Sequence, residues 1–412
     1  MDATAVDSAA VRLASVVTTT ALEPNARLSA RVDAQVWLKR EDLQVVRSYK
    51  VRGAYNFIAQ LDADVQRRGV VCASAGNHAQ GVAYACALLG VRGRIYLPGN
   101  APRQKRDRIA VLGRDAIEVI VRGATYDDAA EAALADSVRT GATLVPAFDD
   151  ERTIAGQGTV AAELVAQLGA APDVLLVPVG GGGLLAGCVV WLTERYPATR
   201  IVGVEPAGAA CMVAALAAGE PVTLPQIDSF VDGAAVRRAG DVTFPIVRDA
   251  GIEITAVAEG RVCSEMLALY QSDGIIAEPA GALASAALGD TVLVRPGETV
   301  VCLLSGGNND VSRYAEVVER ALVHEERKHY FLVDFPQEPG ALRRFLDDIL
   351  GPDDDITLFE YVKRSNRETG PALVGVELGR REDLQPLLKR MDAAPLSIER
   401  VPPGSPLFRF LL

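Results

Sequence analysis

A chain of 412 residues exceeds what one hydrophobic core usually spans, roughly 250–300 residues, so two or three domains are expected. Hydrophobic residues at 49% and charged residues at 23% are those of an ordinary globular protein, and a net charge of −11 argues against nucleic acid and membrane surfaces as partners. No apolar run approaches the roughly 20 residues a membrane helix needs, and the first 17 residues lack the basic start and apolar core of a signal peptide, so the expected compartment is the cytosol.

From about residue 35 to 305, short apolar runs alternate with Ala-rich helical stretches. The strand-like runs are VWLK (36–39), GVVCAS (69–74), RIYLP (94–98), VLLVPVGGGG (174–183), RIVGVEP (200–206) and TVVCLLSGG (299–307). Several end in Gly, Ser or Asn just before a helix, the βα rhythm of a parallel sheet covered on both faces. Only 5% of residues are aromatic, which suits tight helix–sheet layers better than an all-β sandwich. Ligands of such sheets sit beyond the carboxyl ends of the strands, so the chemistry is expected there.

After a helical stretch at 311–327 the pattern changes. A strand HYFLVDFP (329–336), a helix PGALRRFLDDIL (339–350) and a strand DITLFEYVKR (355–364) come first. A turn SNRETG, a strand PALVGVELG (371–379), a helix at 382–394 and a strand LSIERV (396–401) follow. This is βαββαβ, the ferredoxin-like split unit. The pattern divides the chain into a first part, 1–325, and a module at 326–412.

Six cysteines, at 72, 86, 188, 211, 263 and 302, form no CxxC pair, and with only three histidines, His78, His324 and His329, a zinc site of the usual spacing cannot be drawn. They read as reduced, buried thiols, and no metal is expected.

Four segments carry candidate chemistry. Lys50, in SYKVRG (48–53), is an ordinary surface cation unless it is desolvated. A desolvated lysine loses its proton more easily and can form a Schiff base with an aldehyde. SAGNHAQG (74–81) turns from strand to helix at Ser74, Gly76 and Asn77, and serves either as a helix cap or as an anion site. VPVGGGGLLAG (177–187) carries four glycines, Gly180, Gly181, Gly182 and Gly183. Glycine lets the backbone approach a phosphate with no Cβ in the way. Gly181, Gly183 and Ala186 also fit G-x-G-x-x-A, with Glu205 about 20 residues on, so a nicotinamide dinucleotide competes for this loop. No GK[ST] follows, which rules out a P-loop. Ser305, in SGGNN (305–309), is either another cap or a hydroxyl partner for a pyridine nitrogen.

Together these segments resemble the fold-type II pyridoxal-phosphate enzymes, which have two open α/β subdomains like the tryptophan synthase β chain, and within them the threonine dehydratases; the resemblance implies a catalytic domain over 1–325 with the smaller subdomain, about 45–145, inserted in the larger. The resemblance runs in order through KRED (39–42), SYKVRGA (48–54), SAGNHAQGVA (74–83), IAGQGT (154–159), the glycine segment, GVEP (203–206), DGAAVRRAGDVTF (232–244), AEPAGAL (277–283) and LSGGN (304–308). Beyond 328 the chain resembles one ACT-like regulatory domain of the biosynthetic enzymes.

The resemblance implies pyridoxal 5'-phosphate as cofactor. Lys50 would hold it as a Schiff base and later move the substrate Cα proton. Gly180 to Gly183 would bind its phosphate, Asn77 its ring hydroxyl and Ser305 its pyridine nitrogen. Ser74, Ala75, Gly76 and Asn77 would hold the substrate carboxylate. The implied reaction takes L-threonine, with L-serine a possible second substrate, to 2-oxobutanoate and ammonia. It is the first step of isoleucine synthesis, with isoleucine as inhibitor and a homodimer or homotetramer as the assembly.

Two departures matter. Ala75 stands where serine racemases carry a second serine, which disfavours racemisation. Cys211 stands near where relatives with a divalent cation place an acidic residue. The alternatives are another type II lyase or synthase acting on L-serine or phosphohomoserine, an amino-acid-binding protein with a degenerate catalytic part, and a nicotinamide oxidoreductase. The last gives no role to Lys50, SAGNH or SGGN.

Overall fold

The computed structural model describes residues 1–361 and 368–411. Contacts divide the chain into two compact units, Met1–Asp310 and Val311–Leu412. The helix Tyr314–His324 therefore goes with the second unit, ahead of the 325/326 boundary expected from pattern.

The first unit holds two sheets. The larger has six strands, in the spatial order Leu22–Pro24, Gln35–Arg40, Thr299–Leu304, Val174–Pro178, Arg200–Pro206, Glu253–Val257. Only the first pair is antiparallel; the rest run parallel. Every residue of Val174–Pro178 is buried, because VLLVP is apolar on both faces and helices cover both sides. The core around it joins Leu175, Val177, Leu185, Val301 and Leu303.

The smaller sheet is parallel, in the order Ile117–Val121, Gly93–Leu97, Val70–Ala73, Thr143–Leu144. It has its own core, drawn from Val46 to Val145. The expected strands are all present; Gln35–Arg40 is a residue longer at each end than expected, while Val174–Pro178 and Thr299–Leu304 stop before their glycine-rich ends. The strands Leu22–Pro24, Ile117–Val121, Thr143–Leu144 and Glu253–Val257 were not expected. They are short or only partly buried, so they lack the continuous apolar run that marks the central strands.

In the second unit four antiparallel strands stand in the order Asp355–Tyr361, Thr369–Glu377, Lys328–Pro336, Ser397–Arg400. Helices Ala341–Ile349 and Leu384–Ala393 make the βαββαβ unit, and Pro406–Leu411 adds a last helix. Phe331, Phe335, Phe345, Val374 and Val376 centre its core, where the Phe335 ring meets Phe345 and Phe359 edge-on. The end of the strand expected at 355–364 and the start of the turn after it lie outside the described residues.

No helix among the described residues is long and apolar enough to cross a membrane.

Candidate active site

Lys50 opens the helix Lys50–Ile58. The backbone N–H of Tyr49 donates to the carbonyl of Ser305 at 3.1 Å, so the start of this helix is tied to the end of the strand Thr299–Leu304. Lys50 Nζ donates to the carbonyl of Ala147 at 3.1 Å and lies 5.1 Å from the centre of the Tyr49 ring. Burial pulls its pKa down from 10.5 to about 8, against the opposing pull of Glu278. The imidazole of His78, bonded to the carbonyl of Val145 at 2.9 Å, is pushed down to about 4 by burial and by Lys50, and is therefore neutral.

The cation two residues on behaves oppositely. Arg52 is 1% exposed and donates to both oxygens of Glu41 at 2.8 Å and to Glu163 at 2.9 Å. Burial opposes its charge, yet the two carboxylates raise its pKa. Lys39 joins the same cluster through Glu163 at 2.5 Å. The KRED segment thus supplies Lys39 and Glu41 to a buried ion network behind the helix, while Lys50 faces the other way.

The glycine segment forms the second wall. Gly182, at φ +95°, is the N-cap of the helix Gly183–Arg195, and no side chain caps it. The first helical bond comes from Ala186 N–H to Gly182, so the N–H groups of Gly183, Leu184 and Leu185 precede the helical ladder. Thr243 Oγ1 donates to the Gly181 carbonyl at 2.6 Å and steadies the loop. A methyl group at Gly181 would overlap the Phe148 ring, and one at Gly183 would sit 2.8 Å from Phe148 Cβ. The Gln157 side chain donates from Nε2 to the Ala147 carbonyl at 3.1 Å, while its buried Oε1 has no partner. Ala147 and Phe148 are adjacent, so the Lys50 amine and the glycine loop are bridged by two consecutive residues.

The third wall is Ser74–Asn77. The N-cap of the helix Asn77–Leu89 is Gly76, again with no side-chain cap. Ser74 Oγ accepts from Gly76 N–H at 3.2 Å rather than from the first turn. The capping alternative for Ser74 and Asn77 is therefore not what folds here, and Ala75 places no polar side chain beside them. Asn77 Nδ2 donates to Glu278 Oε1 at 2.6 Å, and Asn77 Oδ1 accepts from Asn308 Nδ2 at 2.6 Å.

Ser305 closes the site. It is 3% exposed, caps no helix, and donates to the Ala280 carbonyl at 3.3 Å.

Glu278 is the residue the motifs did not single out. Burial raises its carboxyl from 4.5 to about 7, with Asp232 adding to the shift and Asn77 and Lys105 opposing it. It sits just before Pro279 at the start of a helix, a place that reads as helix punctuation in sequence. Glu205 also stands apart from its expected context. Its oxygens accept the N–H groups of Met212 and Val213 at 2.8 and 2.9 Å, so it serves a helix start. Cys211 Sγ donates to the Gly180 carbonyl at 3.5 Å. Among the described residues no three His, Cys, Asp or Glu side chains gather as metal ligands.

The donor set suits pyridoxal phosphate. It offers an amine for an aldehyde, glycine N–H groups for a phosphate, an amide N–H for a ring oxygen and a hydroxyl for a ring nitrogen. Residues 13–306 match the family described as pyridoxal-phosphate dependent enzyme, and residues 319–411 match the C-terminal regulatory domain of threonine dehydratase. The fold and site are those of a pyridoxal-phosphate dependent enzyme carrying a regulatory domain.

The biosynthetic L-threonine dehydratase of Mycobacterium tuberculosis is 64% identical over 409 residues, covering 99% of this chain and 95% of that one. The processed form of threonine deaminase isoform 2 from Solanum lycopersicum superimposes with a TM-score of 0.72 at 36% identity, over 78% of this chain and 94% of that one. Maize serine racemase does so with 0.72 at 31%, over 78% and 98%. The chain belongs to the biosynthetic L-threonine dehydratases.

Proposed function

We infer that this protein converts L-threonine to 2-oxobutanoate and ammonia, with Lys50 as the group that moves the Cα proton. One observation carries the reading. Lys50 is an amine whose pKa burial lowers to about 8, bridged by two residues to a loop of open backbone N–H groups.

Pyridoxal phosphate, when bound, supplies the electron sink that makes an amino-acid Cα proton acidic. The chain supplies the rest. Gly180 to Gly183 bind the phosphate with backbone N–H groups and the N-terminus of their helix. Asn77 binds the ring hydroxyl. Ser305, whose 3.3 Å bond to Ala280 is long enough to exchange, meets the pyridine nitrogen as a neutral hydroxyl. Ser74 to Asn77 hold the substrate carboxylate on the uncapped helix start. Lys50 Nζ takes the Cα proton and returns a proton to the departing Cβ hydroxyl. Neutral His78 adds no positive charge that would compete for that carboxylate. Ala75 offers no second base on the opposite side, so the protein eliminates rather than racemises.

We also place isoleucine as the inhibitor acting through the second unit, a homo-oligomer as the assembly, and the cytosol as the compartment. Six free, buried cysteines suit a reducing compartment.

The test is formation of 2-oxobutanoate from threonine by the purified protein, with and without isoleucine. A visible cofactor band that Lys50→Ala abolishes, together with turnover, supports the catalytic reading. A serine and phosphohomoserine panel showing faster turnover than threonine would replace the substrate. A rate indifferent to isoleucine would remove the regulatory part.

A further inference from the structure

The side-chain amide of Asn77 is held at both ends by residues from distant parts of the chain. Its oxygen accepts from Asn308 and its nitrogen donates to Glu278, each at 2.6 Å. The two ends of an amide have nearly the same shape, so only the surrounding network can set which way it faces. Here the network does. The Val46 carbonyl can only accept, so the nitrogen of Asn308 must face it, at 2.8 Å. That same nitrogen faces Asn77, which must answer with its oxygen. The Asn77 nitrogen is thereby turned toward Glu278, whose carboxyl oxygen accepts.

One orientation satisfies every partner. It uses one N–H of Asn77 and leaves the second without an acceptor among the described residues. Glu278 is 4% exposed, and its carboxyl lies so close to Gly306 that a side chain at 306 would overlap it. The clamp is therefore built into the backbone as well as the side chains. Without it, the Asn77 amide could turn over and present its oxygen where the bound group also presents one, acceptor against acceptor.

We propose that Asn308 and Glu278 are positioning residues that set the direction of the Asn77 amide, so that its remaining N–H is offered to the ring oxygen of pyridoxal phosphate. This rests on the reading above that Asn77 meets that ring.

The test compares the full-chain holoenzyme with Asn308→Asp and Glu278→Met. Asn308→Asp keeps the shape of the residue but turns an acceptor toward Asn77, which inverts the amide. Glu278→Met removes the acceptor at the other end. Visible absorption is recorded across pH, cofactor retention by dialysis, and folding by far-ultraviolet circular dichroism. The expected result is about ten-fold weaker retention of pyridoxal phosphate and a shift of about one pH unit in the titration of the visible band. A residue that merely supported the fold would not move that titration.

Folded variants with wild-type retention and an unmoved titration overturn the proposal while leaving the cofactor reading intact. A wild-type protein with no visible band removes the cofactor reading, and the proposal with it. Should Asn308→Asp fail to fold, Asn308→Ala carries the comparison alone, because it removes the donor that fixes the Asn77 oxygen and, unlike Glu278→Met, takes no charge away from Lys50.

Discussion

Lys50 and Arg52 stand two residues apart on the first turn of one helix, yet their surroundings differ in almost every respect. Arg52 looks back into a largely buried cluster where Glu41 and Glu163 neutralise it and Thr159 takes a further N–H at 3.2 Å. Lys50 looks forward to a carbonyl and an aromatic ring, with no carboxylate paired to it among the described residues. Both are shielded from solvent, Arg52 fully and Lys50 in part. A paired guanidinium stays charged and anchors the helix, while an amine without a close counter-ion loses its proton and becomes a nucleophile. The helical period alone sends residues i and i+2 to opposite sides. What each meets there decides whether the cation is structural or chemical.

The strongest way to break this contrast is at Lys50. Lys50→Ala should abolish the visible band and lower turnover by at least about 10³-fold, with no loss of stability, because no buried ion pair is broken. Absorption, a 2-oxobutanoate assay and urea unfolding report the three quantities. A variant that retained most of its turnover would end the distinction.

Arg52→Leu should do the reverse. It strands Glu41 in the interior, while Glu163 keeps Lys39, and should cost about 3–5 kcal/mol in urea unfolding. It should also reverse a pH slope. Burial alone would raise the Glu41 carboxyl, but Arg52 holds it below the usual 4.5. A depressed carboxyl stabilises the fold above its unfolded value, and that contribution is lost as pH falls through the folded value. Without Arg52, burial raises the Glu41 pKa, and stability is instead lost as pH rises. A variant as acid-sensitive as the parent would show that Arg52 is not what holds Glu41.

On the opposite wall, Gly181→Ala drives a methyl into the Phe148 ring. Overpacking of this kind costs about 1–3 kcal/mol, so cofactor retention should weaken roughly ten- to hundred-fold. Equilibrium dialysis measures it, and unchanged retention would argue that the loop does not carry the phosphate.

The Lys50 side of the comparison sharpens further with pH. Capture of pyridoxal phosphate by the cofactor-free protein should rise about ten-fold per pH unit below 8 and level off above it, as the free amine saturates. Glu278 is the group that opposes deprotonation, so Glu278→Gln should move the midpoint lower. Stopped-flow absorption reads both, and an unmoved midpoint would detach Glu278 from Lys50.

The smallest effect belongs to the pair Lys105–Asp232, 2.7 Å apart and partly exposed. Lys105→Ala should change stability by no more than about 1 kcal/mol in the same urea assay, since solvent screens such pairs. A larger loss would show that the pair does more than hold a surface contact.

The chain sequence already exposed much of this. The central strands were legible because a strand buried on both faces must be continuously apolar, and VLLVP and TVVCLL are. The glycine loop was legible because a backbone that bends at φ +95° beside an aromatic ring tolerates no side chain. Edge strands such as Ile117–Val121 were missed, since partial burial imposes no such run. Ser74 and Ser305 read equally well as caps, and only the placement of Gly76 as N-cap and of Ser305 against Ala280 removed that alternative.

What depends on a stretch of a few residues was thus written locally: turns, strand ends, and the order of the motifs that mark the family. The partners of Lys50, Arg52 and Asn77 were not. Glu163 lies 111 residues from Arg52, and Glu278 and Asn308 lie 201 and 231 from Asn77. Charge state and amide direction depend on which distant groups arrive within about 3 Å, and no periodicity along the chain encodes that meeting. Tertiary structure alone paired one cation with two carboxylates and left the other, two residues away, with a lowered pKa.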